Sequence, residues 1–153
     1  MPTYPTTLGF SNFAVWINTA NSPDTFVRPC GFTSKALTLS AATSEANLPT
    51  CPETDDPSWV VREVASLSGQ ITGSGVMALE SLDEWREWFE SGDVRPIRIV
   101  FDTTLANNGG YYEGDAILSS LGFSAAKQQD GNKVQLAVTI DSAGAWTWYD
   151  AAA

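Results

Sequence analysis

Residues 65–77 read ASLSGQITGSGVM, and the period of that stretch decides the fold. Ser66, Ser68, Gln70, Thr72 and Ser74 recur at every second position, while Leu67, Ile71 and Met77 share the opposite parity with three glycines. A period of two belongs to a β-strand, whose successive side chains point to opposite sides of a sheet. The polar parity predicts a side left to water. A second stretch repeats the pattern: Val134, Leu136, Val138 and Ile140 alternate with Gln135, Ala137, Thr139 and Asp141. Just before it, Asp130 and Gly131 fit the two-residue turn whose positive backbone angles match the twist of a hairpin.

Working outward, NFAVWIN at 12–18 sets Phe13, Val15 and Ile17 on one face and Trp16 on the other, a strand covered on both sides. TSKALTLSA at 33–41 puts Leu37 and Leu39 inward with Thr38 and Ser40 outward. From Thr43 to Ser58 three prolines and four acids interrupt the pattern and predict a long loop or arm without regular structure. The single helix is ESLDEWREWFESGD, placed at about residues 82–91. Ser81 and Glu84 have the spacing of a capping box, Leu82, Trp85 and Phe89 form the buried stripe with Trp88 beside it, and Gly92 supplies the stop. RPIRIVFD and GYYEGDAILSSLGFS add further strands, for seven or eight in all. Strands and helices do not alternate as a parallel sheet requires. The expected architecture is therefore mainly β: an antiparallel sandwich or barrel with one flanking helix, a single domain over residues 1–153.

Composition removes several function classes. Eight Lys plus Arg stand against 18 Asp plus Glu, a formal charge of −10, so tight binding to a phosphate backbone is not expected. Charged residues make up only 17%, which leaves a largely neutral surface suited to contact with neighbours. Histidine is absent and Cys30 and Cys51 have no partner at ligand spacing, so no metal site and no cofactor are expected. The two thiols read as reduced, although they could pair. No basic residue precedes the first apolar run and no segment nears the ~20 apolar residues of a membrane span, the pattern of a cytoplasmic product without a signal. Enzymatic motifs are missing as well: GSG at 73–75 lacks the spacing and lysine of a phosphate-binding loop, there is no Gly-x-Ser-x-Gly, and Glu113 with Asp115 reads as a solvated strand edge. The chain does not read as an enzyme. Its GGYY and GAWTWY segments leave one alternative, a carbohydrate-binding β-sandwich module with aromatic stacking platforms.

Trp146 and Trp148 sit in strand register close to the end of the chain, where a terminus normally frays. Something must cover them.

The succession CGFTSKALTLSAATSEANLPTCPE, PSW, SLSGQITGSGV, ESLDEWREWFESG, GYYEGDAILSSLGFS and VTIDSAGAWTW resembles the major tail tube proteins of long-tailed bacteriophages. It is most similar to the branch of alphaproteobacterial prophages and gene transfer agents, from about Gly31 to Trp148. The resemblance implies a phage tail tube fold in which six subunits form a ring, each giving four strands to an inner barrel, with rings stacked into a tube that conducts DNA from capsid to host. On that reading Ser66, Ser68, Gln70, Thr72, Ser74, Gln135, Thr139 and Asp141 are lumen-lining candidates, with Arg98 and Lys133 as basic exceptions. The arm at about 43–58 becomes an assembly element. Asn47, Leu48, Pro49, Cys51, Pro52, Trp59, Trp146 and Trp148 are candidate ring or subunit contacts, with a last strand packed within its own sandwich as the alternative for the two tryptophans. The implied partners are other copies of the chain in hexameric rings and helical stacks, a tape measure protein inside the tube, and distal tail or baseplate and tail terminator proteins. DNA passes without specific binding, no membrane is involved, and the product assembles in the bacterial cytoplasm into a virion tail or gene transfer agent particle.

Overall fold

The computed structural model describes residues 2–21, 24–127 and 133–152. Along the chain run β1 (Phe13–Asn21), β2 (Asp24–Val27), β3 (Phe32–Leu48), β4 (Trp59–Val76), α1 (Leu79–Ser91), β5 (Arg95–Phe101), β6 (Gly110–Ser124), β7 (Gln135–Ser142) and β8 (Thr147–Asp150), with single 3-10 turns at Phe10–Asn12 and Leu105–Asn107. Every strand pair is antiparallel, in the order β2-β1-β5-β6-β7-β4-β3, and β8 joins β6. The anticipated hairpin turn at Asp130–Gly131 lies outside the described residues.

The sheet folds over itself into a sandwich. Although β1 and β3 lie near opposite ends of the strand order, Phe32 and Leu37 of β3 pack on the same buried cluster as Val15 and Ile17 of β1. The cluster also takes Ile71, Ile97, Ile99, Leu118, Leu136, Val138 and Ile140, the apolar parity of each strand. Burying such a side chain contributes roughly 1.5–3 kcal/mol, which explains why the alternation is so regular over β4 and β7. As 12–18 implied, β1 is covered on both faces: Val15 and Ile17 are buried on one, Ala14 and Asn18 on the other.

Helix α1 closes the sandwich with Trp85 and Trp88, whose rings stack 6.2 Å apart. Phe32 meets Trp85 edge-on at 5.8 Å. Gly92 ends the helix as anticipated, with φ 66° and its N–H bonded to the Trp88 carbonyl. Three details of the sequence reading need correction. The helix starts at Leu79, three residues before the expected 82, because β4 runs to Val76 and its exit is fixed by Met77 N–H donating to the Val134 carbonyl at 2.9 Å. Ala78 is therefore the N-cap, no side chain caps the helix, and the Ser81/Glu84 capping box does not form. Glu84 pairs with Arg95 instead, at 3.4 Å. Lastly, Phe89 is 47% exposed, and Trp88 takes its place in the buried stripe because its indole N–H reaches the Asp93 carbonyl at 2.8 Å.

The second correction of consequence concerns residues 43–58. Pairing of β3 with β4 continues without a break in strand character from Phe32↔Gly75 to Leu48↔Trp59, with bulges at Phe32/Ser34 and Ala42/Thr43. The region is thus a projecting hairpin, and only residues 49–58 form a loop at its tip. The prolines and three of the acids all fall in that tip. The fourth acid, Glu45, is held across the strands by Arg62 at 2.7 Å, so it does not interrupt the ladder.

Candidate functional site

Register brings the polar positions of two distant segments side by side. Across β4 and β7, Gln70 faces Asp141, Thr72 faces Thr139, Ser74 faces Ala137 and Val76 faces Gln135. Gln70 Nε2 donates to Asp141 Oδ1 at 3.0 Å. On the other side of β4, β3 adds a row that the spacing alone only partly disclosed: Ser34, Ala36, Thr38, Ser40 and Ala42 oppose Ser74, Thr72, Gln70, Ser68 and Ser66. The Ser40 and Ser68 hydroxyls are 2.8 Å apart. On the far side of β7, Ser120, Gly122 and Ser124 of β6 oppose Thr139, Ala137 and Gln135. Every lumen-lining candidate therefore belongs to one four-stranded face. Among the described residues at these paired positions Asp141 is the only charged side chain.

Of the two basic exceptions, Arg98 lies off this patch, on β5. Arg98 pairs with Glu113 at 3.1 Å and sits over the rings of Phe26 and Tyr111, 4.1 and 5.3 Å from their centroids. Its charge is neutralised where it stands. Lys133 is exposed just ahead of β7.

The same four strands carry two open edges. Among the described residues β3 pairs on one side only, with β4, along all of its length. On β6, β5 occupies one edge over residues 110–116, whereas residues 117–124 have a partner only in β7 among the described residues. Unpaired N–H and C=O groups in such rows are a template for another strand.

The hairpin that extends β3 and β4 is exposed on both faces. Of the contact candidates, Leu48 and Trp59 form its last pair, with 54% and 82% of their surface exposed, and Asn47 opposes Val60. Pro49, Cys51 and Pro52 lie in the tip. Leu39 and Leu67 keep the inward parity but extend beyond the body, so they stay uncovered. Together with Ala41, Gly69, Tyr112 and Trp146 they line an open groove at the base of the hairpin.

The C-terminal tryptophans have their cover in their own chain. β7 and β8 share one edge of β6, and residues 143–146 loop out between them. The Trp146 ring drops into this gap over two glycines: a Cβ on Gly69 or Gly114 would stand 2.3 or 2.2 Å from its ring carbons. Its indole N–H donates to the Asp115 carbonyl at 3.0 Å. Trp148 lies edge-on to Tyr112 and donates to Asp150 Oδ1 at 2.8 Å, but it remains 36% exposed beside Tyr149 at 45%. Tyr149 in turn stacks on Tyr111 at 5.2 Å. Strand glycines, at 69 and 114 for Trp146 and at 110 for Trp148, were the signal that these rings have slots in the chain itself.

The profile of the phage tail tube protein family matches residues 8–148. The chain belongs to this family. Its members are structural tail proteins, and the mainly antiparallel sandwich with one helix is their fold. The tail tube protein described here is similar to the subunit in the tail of an empty gene transfer agent particle with C6 symmetry, with a TM-score of 0.76, 15% identity, and coverage of 94% of this chain and 99% of that one. It is similar to a chain of the native gene transfer agent virion, at 0.70, 16%, 94% and 99%. The SPP1 tail tube follows at 0.63 and 9%, with 96% of this chain and 81% of that one covered. No curated protein sequence matches.

Proposed function

We propose that six copies of this tail tube protein close into a ring, that rings stack into a hollow tube, and that DNA leaves the capsid through it. The observation that carries this reading is the four-stranded polar face with an open edge on each side, β3 and residues 117–124 of β6. Joining β3 of one copy to β6 of the next continues the sheet and removes both edges, and a head-to-tail contact of this kind closes as a cyclic ring. The tail of the gene transfer agent particle with the same fold has C6 symmetry, which supports six as the number. Many strands in one barrel leave an aqueous channel, whereas eight would fill it with side chains.

The lining then consists of Ser66, Ser68, Gln70, Thr72, Ser74, Gln135, Thr139 and Asp141. Affinity for DNA rises with the phosphates neutralised, so hydroxyls, amides and a carboxylate let a polyanion slide. The role is structural, without catalysis. The hairpin, with Asn47, Leu48, Pro49, Cys51, Pro52 and Trp59, reaches the adjacent ring, and the exposed sides of Trp146 and Trp148 contact a neighbouring subunit. A tape measure protein fills the tube before ejection, and distal tail or baseplate and terminator proteins cap it. The product assembles in the bacterial cytoplasm and ends in the tail of a phage or gene transfer agent particle. Negative-stain electron microscopy of the concentrated protein, or of particles carrying it, tests this: hollow filaments with a regular axial striation are expected, and a protein that remains a single-chain monomer with or without tail initiator contradicts it.

A further inference from the structure

The eight basic residues are not distributed evenly between paired and unpaired states. Arg62, Arg86, Arg95 and Arg98 each hold a carboxylate. Arg28 and Lys35 do not: among the described residues Arg28 donates to the Ser11 carbonyl at 2.9 Å, and Lys35 to the carbonyls of Phe10 and Phe13. Both line one cavity of about 280 Å³, with Phe10, Val15, Pro29, Cys30, Gly31 and Phe32 around them. The Lys35 ammonium also lies 4.1 Å over the Phe10 ring. Burial, and then the Arg28 charge, pull its pKa below the usual lysine value. Two adjacent cations with no anion between them among the described residues, in a chain of net charge −10, form a site short of a counter-charge.

The missing charge exists at the other end of the same hairpin. The tip carries Glu53, Asp55 and Asp56, all exposed, and none has a cationic partner among the described residues; Asp56 is engaged only by Thr54. Lys35 lies near the start of β3 and the tip follows its end at Leu48, so the strand between them holds the two charges tens of ångströms apart at ~3.4 Å per residue. A tip cannot reach the pocket of its own chain. It can reach the pocket of a copy displaced along the hairpin axis.

Resting on the tube reading above, we propose that the acidic tip of each hairpin docks in the Arg28–Lys35 pocket of a subunit in the adjacent ring, an electrostatic latch that fixes the stacking of one ring on the next. The contact is heterologous, so it propagates along the tube, and it leaves one ring of acidic tips and one ring of basic pockets unsatisfied at opposite ends of a finite tube.

The test reverses charge on each side and then on both. Arg28→Glu with Lys35→Glu, and separately Glu53→Lys with Asp55→Lys and Asp56→Lys, are each expected to lower the pelletable tube fraction at least tenfold while the monomer keeps its far-UV circular dichroism and melting temperature. Combining both sets in one chain restores the opposite charges and is expected to recover tubes. The wild type carries a built-in second probe, since Cys30 lines the pocket and Cys51 lies in the tip, both exposed. A short bis-maleimide added to wild-type tubes is expected to yield a ladder of covalent oligomers that Cys30→Ser or Cys51→Ser abolishes. Reversed variants that polymerise like the wild type, a folded combined variant that does not recover, or wild-type tubes that give no ladder would each overturn the latch and leave the tube reading standing. Failure of the wild type itself to form tubes would overturn the tube reading.

Discussion

At the scale of single residues, the C-terminal aromatic rings pack against places with no side chain. Gly69 and Gly114 are required because the Trp146 ring occupies the volume their Cβ atoms would fill. Gly114→Ala should therefore force the ring out and cost about 1–3 kcal/mol, the usual penalty of overpacking, read as a lowered denaturation midpoint with an unchanged denaturant slope. The two buried indoles of α1 make a matched comparison. Trp88 gives its N–H to the Asp93 carbonyl, whereas Trp85 Nε1 has no partner among the described residues. Losing a satisfied buried donor strands its acceptor, so Trp88→Phe is expected to destabilise by about 1 kcal/mol more than Trp85→Phe in the same titration. The need to cover the terminal tryptophans was legible as a question only. Spacing showed that they needed cover, but the cover lies in glycines at positions 69 and 114, which a linear reading cannot join to residue 146.

Elements were legible where one force set the pattern and obscure where two competed. The alternation over 65–77 and 134–141 is that of burial against water; β4 follows it over 69–76 and β7 over 135–141, while Leu67 and Val134 stay exposed. Residues 43–48 were misread because prolines and acids further along suggested a break, while the cross-strand partners that keep this part extended, Arg62 for Glu45 and Val60 for Asn47, come after the turn. The helix start was misread for the same reason: a capping box is a local signal, and here the exit of β4 at Met77 decides where the helix begins. The polar face was readable, with its lumen candidates grouped as the register groups them, but its β3 and β6 rows depended on pairings that sequence does not state. A consequence belongs to the hairpin. In the monomer its tip, residues 49–58, is exposed and irregular and should be the first site of limited proteolysis; in assembled tubes cleavage there should slow at least tenfold, measured by mass spectrometry of timed digests.

For the whole molecule, the single chain leaves open what the proposed ring would complete: two strand edges, an uncovered apolar groove at the hairpin base, and a face too polar to be core yet nearly without cations. The lumen assignment predicts how charge placed on that face behaves. Thr72→Lys with Thr139→Lys should leave rings intact, since both side chains point away from the core, yet convert an inert wall into a binding one. Six phosphate contacts would weaken about 10³-fold between 50 and 200 mM salt, so DNA retained by variant tubes at low salt should release steeply as salt rises, while wild-type tubes retain none. The central claim, that β3 of one copy pairs with residues 117–124 of β6 in the next around an empty axis, is tested most directly by a cryo-electron microscopy reconstruction of the tube. The account predicts a continuous inner barrel with Gln70, Thr72, Thr139 and Asp141 facing the channel; a reconstruction in which these side chains face outward, or in which both edges stay unpaired, would contradict it.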